Sequence, residues 1–212
     1  MSSVAGAAAL RATIVDLGVG NLGNLARALT RVGAQPEVTD DPARIAGSRL
    51  LLLPGVGAFR PPREALRGER EAALRAALAA GAWLLGICVG YQLLFATGEE
   101  FGETDGLGLL PGRVTRLPET VPLPHIGWNR LRELAPHPLL AGLDEGEYTY
   151  FVHSYAPEGV DAVSTLAVAR HGRTFAAVAG RGRVLGAQFH PEKSGDAGLR
   201  LLGNFLELAR CA

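Results

Sequence analysis

Trp83-Leu84-Leu85-Gly86-Ile87-Cys88-Val89-Gly90-Tyr91-Gln92 begins as an apolar run, passes between two glycines and continues into a segment able to form a helix. A run this short, bounded by glycine, suits a strand buried on both faces, as in a parallel sheet covered by helices. Cys88 stands at its end with glycine two positions to either side. A side chain lifted on a sharp strand-to-helix turn needs close approach of neighbouring backbone, which Gly86 and Gly90 permit, as in the nucleophile elbow of serine hydrolases. The helix start that follows places Cys88 where backbone N–H groups and the helix dipole favour negative charge. The competing reading is a small buried hydrophobe in a glycine-rich turn.

Outward from the elbow, Ala12–Leu17 and Leu50–Leu53 read as further buried strands beside the Ala82–Ile87 run, with helical patterns over Leu22–Val32 and Glu64–Ala80. These predict an α/β fold: a doubly wound, mostly parallel open sheet. The second half changes character. Arg113–Leu117, Tyr148–Val152, Val163–Ala169, Thr174–Ala179 and Val184–Phe189 are β-rich runs between glycine-containing turns, predicting antiparallel strands added to that sheet. Leu199, Leu202, Phe205, Leu206 and Ala209 mark a closing amphipathic helix. Residues 1–11 read as a flexible extension and 12–212 as one domain, with no linker or repeat to divide them.

The 212 residues can bury a substantial core, and 48% hydrophobic against 20% charged residues places the chain among folded rather than disordered sequences. Basic and acidic residues balance at 21 each, so no basic field gathers nucleic acid. Cys88 and Cys211 form neither a disulfide framework nor a zinc set of the usual spacing, which suits a reducing, cytoplasmic setting. The charge-free stretch Ala76–Gly98 is broken by Gly81, Gly86 and Gly90 into pieces too short to span a bilayer. Among the basic residues only Lys193 is a lysine.

Gly18-Val19-Gly20-Asn21-Leu22-Gly23 satisfies the G-x-G-x-x-G dinucleotide pattern, with Glu37 about twenty residues on. In so glycine-rich a chain the pattern arises easily, and a plain tight loop after the first strand is the better reading.

A second segment bears on Cys88. Val184–Phe189 runs into His190-Pro191-Glu192-Lys193, and Pro191 biases His190 toward an extended conformation. Residues i and i+2 of an extended chain share a side, so Glu192 could hold the imidazole of His190 while its other nitrogen serves Cys88. Acyl transfer at a thiolate also needs N–H donors aimed at the developing oxyanion. Val89 supplies one candidate, and the loop carrying Gly55, Val56 and Gly57 after Pro54 supplies others, although Pro and Gly are common in any turn.

Gly86–Gly90, Pro54–Gly57 and Gln188-Phe189-His190-Pro191-Glu192 together resemble the triad-type, class I glutamine amidotransferases. Gly18–Leu22, Pro54–Phe59, Pro124-His125-Ile126-Gly127-Trp128-Asn129, Tyr150-Phe151-Val152-His153-Ser154-Tyr155 and His190–Ser194 are similar to those members that pass ammonia to a separate (β/α)8-barrel cyclase subunit in histidine biosynthesis. Anthranilate synthase-like or pyridoxal phosphate synthase-like glutaminases are the nearest alternative. The resemblance implies hydrolysis of glutamine by Cys88, His190 and Glu192, with no cofactor or metal. It further implies that Gly57, Gln92, Ser154 and Tyr155 hold glutamine, and that Trp128, Asn129, Tyr150 and Lys193 face the cyclase. Leu17 stands where the family usually has Tyr, and Tyr91 where Met is usual.

Overall fold

Hydrophobic pattern and turn chemistry set the order of elements in the computed structural model, which describes residues 10–210. They are β1 (Leu10–Val15), α1 (Leu22–Arg31), β2 (Ala34–Thr39), α2 (Pro42–Ala46), β3 (Leu50–Gly55), α3 (Arg60–Leu66), α4 (Glu69–Ala79), β4 (Trp83–Cys88) and the short α5 (Val89–Gln92). There follow β5 (Thr97–Gly98), β6 (Thr104–Asp105), β7 (Arg113–Arg116), β8 (His125–Arg130), β9 (Tyr148–His153), β10 (Tyr155–Glu158), β11 (Thr165–His171), β12 (Arg173–Arg181), β13 (Val184–Ala187) and α6 (Gly195–Arg210).

The main sheet has seven strands in the order β11-β12-β13-β4-β3-β1-β2. Every residue of β3 is buried, because packed side chains cover both faces of the sheet. One layer includes α1 and α6 through Leu25, Leu29, Leu201, Leu202 and Phe205. The other includes α3 and α4 through Leu66, Leu74 and Ala77, together with the segment after the elbow. The neighbours β13, β4, β3, β1 and β2 run parallel, so their carboxyl ends collect at one edge, where open α/β sheets place ligands.

Several expectations are corrected. Of the later strands only β11 and β12 add antiparallel to the main sheet, while β13 pairs parallel with β4. β7 and β10 instead form a four-stranded sheet with β5 and β6, and β9 pairs with β8 alone. The single helix expected over Glu64–Ala80 is two, because Gly68 turns the chain at φ +75°. Buried Arg63 helps fix that corner by bonding Glu71 at 2.7 Å and the Asp105 carbonyl at 2.9 Å. Leu10 and Arg11, expected in the extension, begin β1 and pair with Ala34 and Gln35. The rest of that extension, and Cys211, lie outside the described residues.

The glycine loop after β1 leads into α1, where Asn21 caps the helix. Glu37 sits on β2 and pairs with Arg11 at 3.4 Å and with Arg44, so its carboxylate is already engaged by arginines. Among the described residues, no helix is long and apolar enough to cross a membrane.

Candidate active site

β4 ends at Cys88 with φ +54° and ψ −112°, a left-handed conformation that an L-residue adopts only under constraint. The constraint is close packing of backbone around the turn. A Cβ on Gly90 would lie 1.7 Å from the Leu53 carbonyl oxygen, and one on Gly86 would lie 2.7 Å from Tyr91 Cα. Tyr91 lies fully buried beside the elbow, its hydroxyl donating to the Ala176 carbonyl at 3.2 Å. A Cβ on Gly186 would sit 2.1 Å from the Tyr91 ring, so the main sheet is hollowed to admit that side chain. Leu17, the other departure from the family pattern, is buried in the same layer.

Cys88 borders a cavity of about 250 Å³. Its wall is built from the β3–α3 loop (Val56, Gly57), the elbow (Cys88, Val89, Gln92), the β9–β10 bend (Val152, His153, Ser154, Tyr155), Glu100, Pro124 and His190. A larger open cleft of about 910 Å³ lies at the opposite, amino-terminal edge of the sheet, lined by residues such as Leu10, Thr13 and Gln35. Among the described residues that cleft has no histidine or cysteine on its wall, whereas the smaller cavity holds Cys88, His153 and His190.

His190 is extended (φ −95°, ψ 100°), as the following proline requires, and its N–H donates to the Tyr150 carbonyl at 2.9 Å. Glu192 reaches it by a route other than extended-strand alternation: Pro191–Lys193 form a single 3-10 turn. The turn brings Glu192 Oε1 to 2.8 Å from His190 Nδ1, with both side chains buried. Burial alone would lower the His190 pKa, but the adjacent Cys88 sulfur and the Glu192 carboxylate outweigh it and raise the pKa to about 10. His190 Nε2 is buried with no hydrogen-bond partner of its own, and so is Glu192 Oε2. Trp83 Nε1, Thr149 Oγ1 and Ser164 Oγ are orphaned as well, away from the cavity, so it is the position of His190 Nε2 on the imidazole beside the sulfur that marks it.

Gln92 is nearly fully buried, and its Nε2 donates to the Tyr155 carbonyl at 2.8 Å and to Gln188 Oε1 at 3.1 Å. Ser154 and Tyr155 join it on the wall, as do Val56, Gly57 and Val89. Gly55 does not line this cavity: it belongs to β3, where a Cβ would meet Gly90 N at 2.8 Å. Gly57, with φ +82° and open space around its Cα, has the freedom that Gly55 lacks.

Three neighbours of the sulfur or the cavity escaped the sequence reading. Gln188 is wholly buried, with Nε2 at 4.0 Å from Cys88 Sγ; its signals were a glutamine ending an otherwise apolar strand run and its place in the Gln188–Glu192 motif, where it was given no role. Glu100 accepts a bond from Phe59 N at 2.8 Å, and burial, partly offset by that bond, raises its pKa. Nothing in its local sequence marks it. His153 also lines the cavity.

The four residues expected to face a partner divide in two. Trp128 and Tyr150 meet edge to face at 5.9 Å, and Lys193 Nζ lies 5.7 Å over the Tyr150 ring. With Ile126 and Tyr148 they form an exposed strip on one face of the β8–β9 ladder. Asn129, one residue on, turns to the other face and bonds the Arg170 carbonyl at 3.0 Å.

The model of the glutamine amidotransferase class-I family matches residues 13–208. The imidazole glycerol phosphate synthase subunit HisH of Symbiobacterium thermophilum is 52% identical over 196 residues, covering 92% of each chain. Its counterpart in Salinibacter ruber is 47% identical over 92% of this chain and 94% of its own. Among solved structures, one described as a glutamine amidotransferase superposes with a TM-score of 0.74 at 24% identity, over 93% of this chain and 98% of that one. PurLQS from Thermotoga maritima superposes with a TM-score of 0.75 at 22% identity, over 94% and 99%. At those identities the solved structures speak for the fold alone.

Proposed function

The chain belongs to the glutamine amidotransferase class-I family, and we infer on that premise that it hydrolyses glutamine to glutamate and ammonia. It does so as the glutaminase subunit of an imidazole glycerol phosphate synthase, whose partner subunit uses the ammonia in histidine biosynthesis. The relatives of that name, about half identical over nine-tenths of the chain, favour this reading over an anthranilate synthase-like or pyridoxal phosphate synthase-like one. The observation that carries it is the strained Cys88 beside a buried His190 whose Nδ1 is held by Glu192.

In the proposed mechanism the Cys88 thiolate attacks the side-chain amide carbon of glutamine. The carbonyl oxygen takes up the electron pair and is met by backbone N–H groups of Val89 and of Val56 or Gly57. Collapse of this intermediate breaks the C–N bond while the His190 imidazolium protonates the leaving nitrogen, giving ammonia and a glutamyl thioester. His190, now neutral, takes a proton from water, which attacks the thioester; glutamate leaves and Cys88 is regenerated. Glu192 fixes the ring so that Nε2 serves the sulfur throughout. Glu100 is the sole carboxylate on the cavity wall among the described residues and suits the α-ammonium of glutamine, while Gln92, Ser154 and Tyr155 complete the substrate's surroundings.

A (β/α)8-barrel cyclase subunit is the proposed partner, docking on the strip of Trp128, Tyr150 and Lys193. Ammonia released beside bulk water would be protonated and lost, so delivery within a complex and low activity without the partner go together. Gly57 is the candidate hinge by which the Pro54–Gly57 loop presents or withdraws an oxyanion donor. The reading calls for no cofactor, and a cytoplasmic setting suits a free thiol nucleophile. The described residues, from Leu10 onward, act as one domain. The test is glutamate release by the chain alone, by the chain with its partner subunit, and by that complex with the cyclase's nucleotide substrate. Release that rises in that order supports the reading; equal release in all three contradicts the coupling.

A further inference from the structure

Three histidines outside the triad pack together between the cavity and β8. His125 stacks on His171 with ring centroids 4.2 Å apart and meets His153 edge to face at 5.0 Å. Phe151 and Phe175 close the cluster. His125 and His153 are buried, and burial, aided by the neighbouring imidazoles, lowers their pKa values to about 4 and about 3. Both rings are therefore neutral near pH 7, each with one donor and one acceptor nitrogen.

The hydrogen bonds then admit a single placement of protons. His153 Nδ1 lies 2.9 Å from the Tyr155 carbonyl, which can only accept, so Nδ1 carries the proton. His153 Nε2 must accept, and it does so from His125 Nδ1 at 3.0 Å. His125 Nε2 must accept in turn, from Asn129 Nδ2 at 3.1 Å, whose second proton goes to the Arg170 carbonyl. The final acceptor, Tyr155 O, also receives Gln92 Nε2 at 2.8 Å. Donation thus runs one way, from β8 to the bend at Ser154 and Tyr155 on the cavity wall. Its first donor, Asn129, shares a strand with Trp128 of the exposed strip.

We infer that Asn129, His125 and His153 form a one-directional, uncharged hydrogen-bond relay that holds the Ser154–Tyr155 bend in position for glutamine. His125 and His153 are accordingly positioning residues for substrate binding. This rests on the reading above that the bend contacts glutamine. Histidine suits the task because each neutral ring both accepts and donates, passing polarity from β8 across to the bend that ends its partner strand β9. Neutrality also matters, since a second imidazolium facing the charged His190 would be repelled by it. The remaining titratable neighbour, His171, is tied off by donating Nε2–H to the Pro122 carbonyl at 2.8 Å.

Two measurements test the relay. On the wild-type chain labelled with nitrogen-15 histidine, long-range proton–nitrogen NMR should show His125 and His153 as Nδ1–H tautomers that do not titrate between about pH 5 and 8. An Nε2–H tautomer, or a midpoint near the free-histidine value, overturns the relay whether or not the chain is a glutaminase. In the complex with the partner subunit, His125→Leu should raise the KM for glutamine about tenfold, the worth of one hydrogen bond, with kcat at saturation changed less than about twofold. His125→Asn, which keeps a donor near the place of Nδ1, should restore most of the loss. An unchanged KM in His125→Leu, or equal KM values in the two variants, contradicts the positioning role. Absence of glutamate release by the wild-type complex would instead count against the glutaminase reading, leaving the NMR result to judge the relay by itself.

Discussion

His190 Nδ1 lies 2.8 Å from Glu192 Oε1 inside a single 3-10 turn, and neither side chain is more than marginally exposed to water. The pairing fixes which nitrogen of the imidazole remains for Cys88, and it ties the site's charge to the stability of the fold. His190 has its folded-state pKa raised to about 10, above the ordinary histidine value. A raised pKa contributes stability that is fully present below the unfolded value, near 6.5, and is lost as pH rises through the folded value. Glu192→Ala should therefore cost about 3 kcal/mol at pH 6, the scale for removing one member of a buried pair. The cost should shrink toward pH 10. Urea unfolding of both proteins at pH 6, 8 and 10 checks it, and a cost that grows with pH contradicts the assignment.

The backbone at Cys88 makes a second expectation independent of catalysis. With φ +54°, any side chain at this position is held in a strained conformation that glycine adopts freely. Cys88→Gly should be more stable than Cys88→Ala by about 1 kcal/mol, the reverse of the order expected within a regular strand or helix. Equal or opposite midpoints in thermal unfolding would mean that the elbow is relaxed.

Glycines that look alike in the sequence should differ sharply. Gly90→Ala places a Cβ 1.7 Å from the Leu53 carbonyl oxygen, against backbone that has no room to retreat, and should destabilise by about 3 kcal/mol or more. Gly203→Ala in α6 meets nothing within 4 Å and should stabilise by about 0.5 kcal/mol. Denaturant midpoints of the pair measure the contrast.

The glycine loop after β1 offers a ligand test. Glu37 is engaged by Arg11 and Arg44 rather than left for a ribose, so titration calorimetry with NAD and NADP should show no saturable binding. Micromolar binding of either would reopen the dinucleotide reading of Gly18–Gly23.

Legibility of the fold and site in the sequence followed the strength of local constraint. The elbow was readable because glycine at 86 and 90 answers to a steric demand that no other residue meets. The runs at β3 and β4 were readable because burial on both faces leaves only apolar side chains. β2 was missed: an edge strand exposes one side, and Ala34-Gln35-Pro36-Glu37 lacks a clean alternation. β8 was missed for a related reason, since His125, Gly127 and Asn129 are polar or small on its inner face, where His125 and Asn129 serve a hydrogen-bond chain instead of an apolar core. Which strands join the main sheet depends on pairings between residues distant in sequence, and these leave no local mark. The same holds for Glu100, whose place at the site depends on its bond from Phe59 N, far off in sequence. Pro191 correctly signalled an extended His190, but the turn that delivers Glu192 came from the structure.

The most direct test of the account is glutamate and ammonia release by the chain with its partner subunit, for wild type against Cys88→Ala. The account predicts steady release by the wild-type complex and a loss of about a thousandfold or more in the variant, the scale for removing a covalent nucleophile. Circular dichroism should show the variant folded and gel filtration should show it still assembled with its partner. Release by Cys88→Ala at a rate near wild type would contradict the assignment of Cys88 as nucleophile, and with it the catalytic site described here.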